Sequence, residues 1–233
     1  MKVPVSTPFL GDLEKFYVNK ALDAAAVSGV YGEFIERFEE SFAKFCDTKY
    51  AVTCSNGTTA LHLAMVAGGI RAGDEVLVST LTNMATFFAV LYIGAIPIPI
   101  DIDPLTLTMS PLDLKSKITK KSRGVMVVHL FGQATDMDAI NDIANEHDLI
   151  VFEDCAEAHG ALYKNRKVGS LSSAGAFSFF ANKLISTGEG GMVVTDDIKI
   201  AEKARSLKAL AFGSCNKFMH DDLGFNYRLP NLN

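Results

Sequence analysis

The sequence predicts an α/β fold built around a mostly parallel sheet of seven strands. Seven short runs are rich in β-branched and other apolar residues, and most are apolar throughout, which is typical of strands buried on both faces. Helical patterns separate most of these runs, giving the β–α–β alternation of an open parallel sheet. The predicted strands are Tyr50–Cys54, Glu75–Val78, Ile96–Ile100, Gly124–His129, Leu149–Glu153, Ala174–Phe180 and Gly191–Thr195.

Two amphipathic helices are predicted ahead of the sheet, and further helices lie between the strands. The predicted helices include Leu13–Ala26, Phe34–Phe45, Thr58–Val66, Pro111–Lys117, Asp136–His147 and Ile198–Leu210. Only a short glycine-rich segment, Ser186–Gly190, separates the last two strands. Because this segment is too short for a crossover helix, these two strands are predicted to pair antiparallel. No internal repeat or linker is evident, so residues 1–233 are expected to form one domain.

The composition excludes several classes of protein. With 48% hydrophobic and 21% charged residues, the chain of 233 residues can bury a sizeable core. A net charge of -5 and the lack of a dense Lys/Arg run argue against a nucleic-acid partner. The N-terminus lacks the apolar stretch of a secretory signal, and no apolar run reaches the roughly 18 residues that a membrane span needs. We therefore expect a cytoplasmic protein.

The four cysteines are widely scattered and form no CxxC pair. They are Cys46, Cys54, Cys155 and Cys215. Their spacing suggests neither a zinc site nor a dense disulfide framework, so most are expected to be reduced core residues. His129 and His159 lie near the motifs described below, but no group of histidines has metal-ligand spacing, and structural roles are expected for both.

A small-residue turn, Ser55–Thr59, joins the first predicted strand to the helix that follows it. The N–H groups at a helix start and the positive end of its dipole can bind a phosphate, with Ser and Thr hydroxyls as further donors. Ser, Asn and Thr are also ordinary N-cap residues. The turn alone therefore fits either a phosphate site or simple capping.

Asp154 directly follows a predicted buried strand and should lie at the carboxyl edge of the sheet, where open α/β folds bind ligands. A carboxylate there can pair with the pyridinium nitrogen of pyridoxal 5'-phosphate (PLP) and keep it protonated. The alternative is that Asp154 caps the next helix, with Glu157 completing a capping box.

Lys183 comes soon after the sixth predicted strand and precedes a glycine-rich turn. A partly desolvated lysine can lose its proton and form a Schiff base with an aldehyde cofactor. Most lysines are solvated surface residues, which is the alternative here. The ordered combination of phosphate turn, strand-end acid and lysine in one sheet favours a PLP site.

Several segments make the chain similar to the DegT/DnrJ/EryC1/StrS family of sugar aminotransferases. They are SNGTTALHLA, GDEVLVSTLTNMAT, VHLFGQ, EDCAEAHG, FSFFANK with GEGGMVVT, and the closing GFNYRLPNLN. The resemblance covers essentially the whole chain and implies the aspartate aminotransferase fold, the large domain of a type I PLP enzyme. Within the family, FFANK with GEGG resembles enzymes that aminate C4 of nucleotide-linked 4-keto-6-deoxyhexoses.

The resemblance implies roles for individual residues. Lys183 matches the lysine that binds the cofactor, and Asp154 matches the partner of the ring nitrogen. Glu157 falls where the family has Gln or Glu near the cofactor ring. Gly57 and Thr58 match the backbone that binds the phosphate.

Three further residues follow from the same resemblance. Ser178 matches a side-chain donor to the phosphate, and Gln133 lies in a turn that the family places near the site. Asn226 matches a residue that reaches the cofactor phosphate from a neighbouring subunit, which implies a homodimer with shared active sites.

The chain departs from the family pattern in two respects. Asn83 occupies the position where many relatives have an aromatic residue that stacks on the cofactor ring, with Phe87 or Phe88 as possible substitutes. The chain also stops at Asn233, ahead of the smaller C-terminal domain expected in this family.

The implied activity is transfer of an amino group from glutamate to the sugar ketone in two half-reactions, with Lys183 moving the proton in each. An inactive cofactor-binding or regulatory remnant is one alternative. A PLP-dependent sugar dehydratase is another, although such relatives have histidine in place of Lys183. An α/β dehydrogenase is disfavoured because no GxGxxG motif follows the first strand.

Overall fold

The part of the chain that the structure describes contains nine strands, seven in one sheet and two in a separate hairpin. The computed structural model describes residues 6–30, 32–213 and 218–233. The strands are β1 (Tyr50–Cys54), β2 (Glu75–Ser79), β3 (Ile96–Ile100), β4 (Ser122–Val128), β5 (Ile150–Asp154), β6 (Leu162–Tyr163), β7 (Arg166–Lys167), β8 (Ala174–Ser178) and β9 (Gly191–Thr195). The main sheet has the order β1-β9-β8-β5-β4-β2-β3, and β6 pairs only with β7.

The helices are α1 (Asp12–Asp23), α2 (Phe34–Phe45), α3 (Gly57–Ala67), α4 (Met84–Tyr92), α5 (Pro111–Lys117), α6 (Met137–Glu146) and α7 (Ile198–Lys208). Helices α2 to α7 cover the two faces of this sheet, and α1 precedes them in the chain. Buried side chains of α3, α4 and α7 pack in one apolar cluster, and those of α2, α5 and α6 pack in a second. Because the central strands supply alternate residues to both clusters, they are apolar on both faces, as the sequence predicted.

All seven predicted strands are confirmed to within two residues at each end. The predicted antiparallel pairing of β8 with β9 is also confirmed, with Ser178 opposite Gly191. β1 pairs antiparallel with β9 as well, which the sequence had not predicted. Helix α4 and the β6–β7 hairpin were not predicted either. The segment Met84–Tyr92 is apolar on nearly every side and so lacks helical periodicity, and two-residue strands are too short to show alternation.

The strand directions bring six carboxyl ends to one edge of the sheet. β3, β2, β4, β5 and β8 run parallel to one another through consecutive pairings. β1 is antiparallel to β9, which is antiparallel to β8, so β1 also points the same way. The segments that follow these strands therefore meet at a single edge, where open α/β sheets bind ligands.

Three of the cysteines are buried free thiols, as predicted: Cys46, Cys54 and Cys155. Burial raises the pKa of the Cys46 thiol to about 12, which keeps it protonated at neutral pH. Cys215 lies outside the described residues. Within the described part of the chain, no helix combines the length and the apolar character needed to cross a bilayer.

A shielded ion pair ties α2 to the sheet and to α7. Glu39 Oε1 accepts hydrogen bonds from the N–H (2.8 Å) and the hydroxyl (2.8 Å) of Thr53 on β1. The same oxygen accepts from Lys208 Nζ at 2.9 Å, and both charged side chains are only 13% exposed. One carboxylate therefore satisfies donors from two other elements.

We expect Glu39→Ala to destabilise the fold by about 3 kcal/mol, because it leaves a shielded ammonium and a buried N–H without their acceptor. The free energy of unfolding in urea measures this change. Glu40→Ala is the matched control, since Glu40 is the next residue of α2 and is exposed. Equal stability of the two variants would show that the ion pair contributes nothing to the fold.

Candidate active site

A cleft of about 600 Å³ opens at the edge where the carboxyl ends of the strands meet. Five of the residues predicted from the sequence line it: Gly57, Thr58, Asp154, Ser178 and Lys183. They come from the start of α3, the end of β5, and the end of β8 with the segment after it. The fold thus brings together residues that are up to 126 positions apart, because β1, β5 and β8 all end at this edge.

Helix α3 begins with a capping box beside the cleft. Asn56 Oδ1 accepts from the N–H of Thr59 at 2.9 Å, and Thr59 Oγ1 accepts from the N–H of Asn56 at 3.1 Å. Capping, one of the two roles considered for this turn, is therefore present. It leaves the N–H groups of Gly57 and Thr58 without an acceptor among the described residues, as expected for the first turn of a helix. The positive end of α3 is open toward the cleft.

Gly57 lies directly against Ser178. A Cβ at position 57 would be 2.6 Å from the Cβ of Ser178, closer than two carbon atoms can approach. Only glycine therefore lets α3 start this near to the end of β8. The Ser178 hydroxyl oxygen accepts from the N–H of Phe180 at 3.3 Å, which leaves its proton available for a ligand.

Asp154, the last residue of β5, is a buried carboxylate with a donor on each oxygen. Its side chain accepts from the N–H of Ala156 at 3.1 Å and from the hydroxyl of Thr86 at 2.8 Å. Burial raises the pKa of Asp154, whereas these hydrogen bonds lower it. The alternative role as a helix cap is wrong, because residues 155–160 form turns instead of a helix.

Lys183 is mostly shielded from solvent and paired with Glu157. Nζ of Lys183 lies 3.0 Å from Oε1 of Glu157, and the two side chains are 14% and 28% exposed. The other oxygen of Glu157 accepts from the N–H of Phe131 at 3.4 Å. The alternative of a fully solvated surface lysine is therefore wrong. Both residues border a small cavity that they share with Asp154.

A buried hydrogen-bond network lies behind Asp154 and centres on Glu153. Four donors reach this carboxylate: His129 Nε2 (3.0 Å), Gly169 N (2.7 Å), Leu171 N (2.9 Å) and Ser172 Oγ (2.9 Å). His129, Glu153 and Cys155 lie close enough together to hold a metal ion. The oxygens of Glu153 are nevertheless already bound, and burial raises the pKa of the Cys155 thiol well above its usual range. This donor set fits a structural network better than a metal site.

His159 packs among aromatic rings and lies away from the cleft lining. Its ring centroid is 5.3 Å from that of Phe177 and 5.5 Å from that of Phe179. Burial lowers the pKa of His159 to about 4, so the imidazole is neutral at pH 7. These contacts agree with the structural role expected for it.

Three predicted residues are outside the lining of this cleft: Glu157, which borders the small cavity described above, Gln133 and Asn226. Gln133 is exposed at the end of a 3-10 turn. Phe131 (φ 50°) and Gly132 (φ 83°) are both left-handed in that turn, and the tight reversal that they form leaves Gln133 outside the lining. Asn226 is exposed and pairs with Ala209 in an isolated bridge. Its contact with a neighbouring subunit stays a prediction.

The aromatic residues of the cleft differ from those considered in the sequence. Asn83 lines the cleft and caps α4, since its Oδ1 accepts from the N–H of the second residue of that helix at 2.9 Å. Phe87 packs into the core and Phe88 faces solvent, so neither replaces the stacking ring. The aromatic side chains in the lining are those of Tyr92 and Phe180.

Thr86 contacts the Asp154 carboxylate directly and was not among the residues predicted from the sequence. Thr82 lies behind it, with the two hydroxyl oxygens 2.6 Å apart. The available signal was a pair of threonines four residues apart after a strand, since that spacing places both on one side of a beginning helix.

The chain is similar to known proteins over nearly its whole length. The model of the DegT/DnrJ/EryC1/StrS aminotransferase family matches residues 10–233. GDP-perosamine synthase of Caulobacter vibrioides is 45% identical over 231 residues, which are 99% of this chain and 62% of that protein. The structure of an aminotransferase from Psychrobacter cryohalolentis has a TM-score of 0.93 at 36% identity, covering 99% of this chain and 60% of the other. The E. coli GDP-4-keto-6-deoxy-D-mannose-3-dehydratase has a TM-score of 0.91 at 29% identity, covering 99% and 65%.

The fold is therefore that of the type I PLP aminotransferases, as the sequence predicted. The chain belongs to the DegT/DnrJ/EryC1/StrS aminotransferase family. It spans about 62% of the length of the curated relative described above.

Proposed function

We propose that residues 1–233 form the PLP-binding domain of an aminotransferase that acts on nucleotide-linked sugars. In this proposal the amino group passes from glutamate to C4 of a 4-keto-6-deoxyhexose, in the biosynthesis of an aminosugar or surface polysaccharide. The observation that carries the proposal is the shielded Lys183 amine, 3.0 Å from Glu157 and in the same cleft as Asp154 and the open start of α3.

The start of α3 fits a phosphate group. The N–H groups of Gly57 and Thr58 and the dipole of α3 favour an anion, and the Ser178 hydroxyl supplies a third donor from β8. The absence of a side chain at Gly57 is what allows these donors to converge, since a Cβ there would lie 2.6 Å from the Cβ of Ser178. These residues would hold the phosphate of PLP.

Asp154 fits the protonated ring nitrogen of the same cofactor. When bound, PLP supplies an electron sink for the electrons released at the α-carbon of the amino donor. A carboxylate beside the ring nitrogen stabilises its protonated form. The carboxylate of Asp154 has one hydrogen bond on each oxygen and therefore keeps lone pairs for such a partner.

Lys183 is the proposed nucleophile and proton carrier. An ammonium must lose a proton before its nitrogen can bind an aldehyde carbon. Oε1 of Glu157, at 3.0 Å from Nζ, is within the range expected of a proton acceptor. Nζ of Lys183 would also be placed to accept and return a proton at the α-carbon of the amino donor.

The choice of sugar amination over sugar dehydration rests on Lys183. The dehydratase structure that the chain resembles has the same fold, so the fold does not discriminate between the two reactions. In dehydratases the residue expected at this position is histidine. Unlike lysine, histidine cannot bind the cofactor covalently. A lysine at position 183 therefore favours amination, and the likeness to GDP-perosamine synthases supports amination at C4.

We also propose a cytoplasmic homodimer in which Asn226 reaches the phosphate site of the partner. Asn226 is exposed and outside the cleft of its own chain, as this role requires. Met84, Phe88 and Leu91 form an exposed apolar face of α4 beside the cleft. Exposed apolar faces of this kind commonly mark contacts between subunits.

An absorbance spectrum of the purified protein with added PLP, recorded before and after glutamate, tests the proposal. We expect a new absorbance band, distinct from that of free PLP, that glutamate bleaches, together with formation of 2-oxoglutarate. A band that glutamate leaves unchanged would instead indicate a cofactor-binding remnant. A spectrum identical to that of free PLP would contradict the assignment of the cofactor.

A further inference from the structure

Thr86 delivers a hydroxyl to the Asp154 carboxylate from within the core. The residue lies in the first turn of α4 and is 0% exposed. Its Oγ1 is 2.8 Å from Oδ2 of Asp154. An ionised carboxylate can only accept, so the single hydroxyl proton of Thr86 points to Asp154.

A hydrogen bond between the hydroxyls of Thr82 and Thr86 fixes the direction in which Thr86 donates its proton. Oγ1 of Thr82 lies 2.6 Å from Oγ1 of Thr86. Because the Thr86 proton is used on Asp154, Thr82 must donate to Thr86. The two hydroxyls form a short relay in which both protons point toward the carboxylate, and relays of this kind strengthen each hydrogen bond.

The other groups around Asp154 do not replace the hydrogen bond that it accepts from the Thr86 hydroxyl. The titratable groups facing it are His129 after β4, Cys155 and Glu157 beyond the end of β5, and Lys183 after β8. Both ring nitrogens of His129 already have partners, since Nδ1 accepts from a backbone N–H at 3.1 Å and Nε2 lies 3.0 Å from Glu153. The Lys183 ammonium is shared with Glu157. From α4, Asp154 accepts one hydrogen bond, from the hydroxyl of Thr86.

We infer that Thr86, oriented by Thr82, is a positioning residue that keeps Asp154 ionised and aims its free lone pairs into the cleft. The effect on the ionisation and orientation of Asp154 is inferred from contacts within this chain alone. Its consequence for PLP rests on the function proposed above, since it requires Asp154 to meet the ring nitrogen.

The first test measures Asp154 directly, without cofactor. Titration of the Asp ¹³Cγ signals by NMR, with Asp154 assigned from the Asp154→Asn spectrum, gives the pKa of this carboxyl. Thr86→Val keeps the shape of the side chain and removes the donor, so we expect the pKa of Asp154 to rise by about one pH unit. Thr86→Ser should restore the wild-type value, and Thr82→Val should give a smaller rise.

A matched control removes a buried hydroxyl elsewhere. Thr195 is 1% exposed and its hydroxyl donates to the carbonyl oxygen of Ser173 at 2.7 Å, away from the cleft lining. Thr195→Val should therefore cost stability, as Thr86→Val does, and leave the pKa of Asp154 unchanged. Unchanged titration of Asp154 in both Thr86→Val and Thr82→Val would overturn the inference.

The second test follows the dissociation constant of PLP as a function of pH. Removing the Thr86 hydroxyl raises the pKa of Asp154, so the loss of affinity on acidification should begin at a pH about one unit higher than in the wild type. If wild-type protein binds no PLP while the NMR shift is present, the inference about Thr86 holds and the proposed function fails. If wild type binds PLP and Thr86→Val leaves both the profile and the carboxyl titration unchanged, only the inference fails.

Discussion

Lys183→Ala is expected to abolish both the PLP-dependent absorbance band and the reaction with glutamate. The variant removes the nucleophile and the proton carrier at once, so the rate of 2-oxoglutarate formation should fall by at least about 10³-fold. Single-turnover spectra with excess PLP and glutamate measure this loss. The shielded position of Lys183, at 3.0 Å from Glu157, makes replacement by another amine of the chain implausible.

Two variants separate the chemistry of Lys183 from its charge. Lys183→Arg retains a cation beside Glu157 and cannot bind an aldehyde carbon in the same way, so it should be as inactive as the alanine variant. Lys199→Ala removes an exposed lysine of α7 and should behave as wild type. A wild-type band in Lys183→Ala would mean that another amine binds the cofactor and that the site is wrongly placed.

Asp154→Asn is expected to slow the half-reaction with glutamate by about 10²–10³-fold. The substitution keeps the size of the side chain and removes the negative charge that would hold the ring nitrogen protonated. The absorbance band should still form, because Lys183 is intact, but it should bleach slowly after addition of glutamate. Stopped-flow absorbance at saturating PLP measures the rate.

Asp148→Asn is the matched control for this prediction. Asp148 precedes β5, at the opposite end from Asp154, and is exposed. It has a positive φ of 54°, which asparagine tolerates well, so the control should be as stable as wild type. Bleaching at the wild-type rate in Asp154→Asn would show that this carboxylate does not act on the cofactor ring.

The two variants should fail at different stages, which makes them informative together. Lys183→Ala is expected to show no PLP-dependent absorbance band. Asp154→Asn should show the band, but glutamate should bleach it more slowly than in the wild type. The distinction follows from their places in the cleft. Lys183 offers an amine on the segment after β8, while Asp154 offers a charge from the buried end of β5.

Three of the predicted site residues lie in one cleft because they follow strands. Gly57, Asp154 and Lys183 each come after a short apolar run, and in a parallel sheet such positions meet at one edge. The turn chemistry around them is local, so it can be read from windows of a few residues. Thr86 was missed because α4 is apolar on nearly all sides, and a buried threonine in such a helix has no pattern that points to a distant carboxylate.

By itself, the sequence determined the α/β class and the seven strands. It also determined the three elements that build the cleft, which are the start of α3, the end of β5 and the end of β8 with the segment after it. These features depend on periodicity and on turn residues, which act over short distances along the chain. Tertiary structure alone decided which distant groups satisfy one another. The N–H of Ile35 at the start of α2 is bound by the side chain of Asn231, 196 residues later, and Glu39 joins α2 to β1 and α7. Such pairs are selected by the requirement that buried donors and charges find partners, and only the complete packing determines which partner lies within reach.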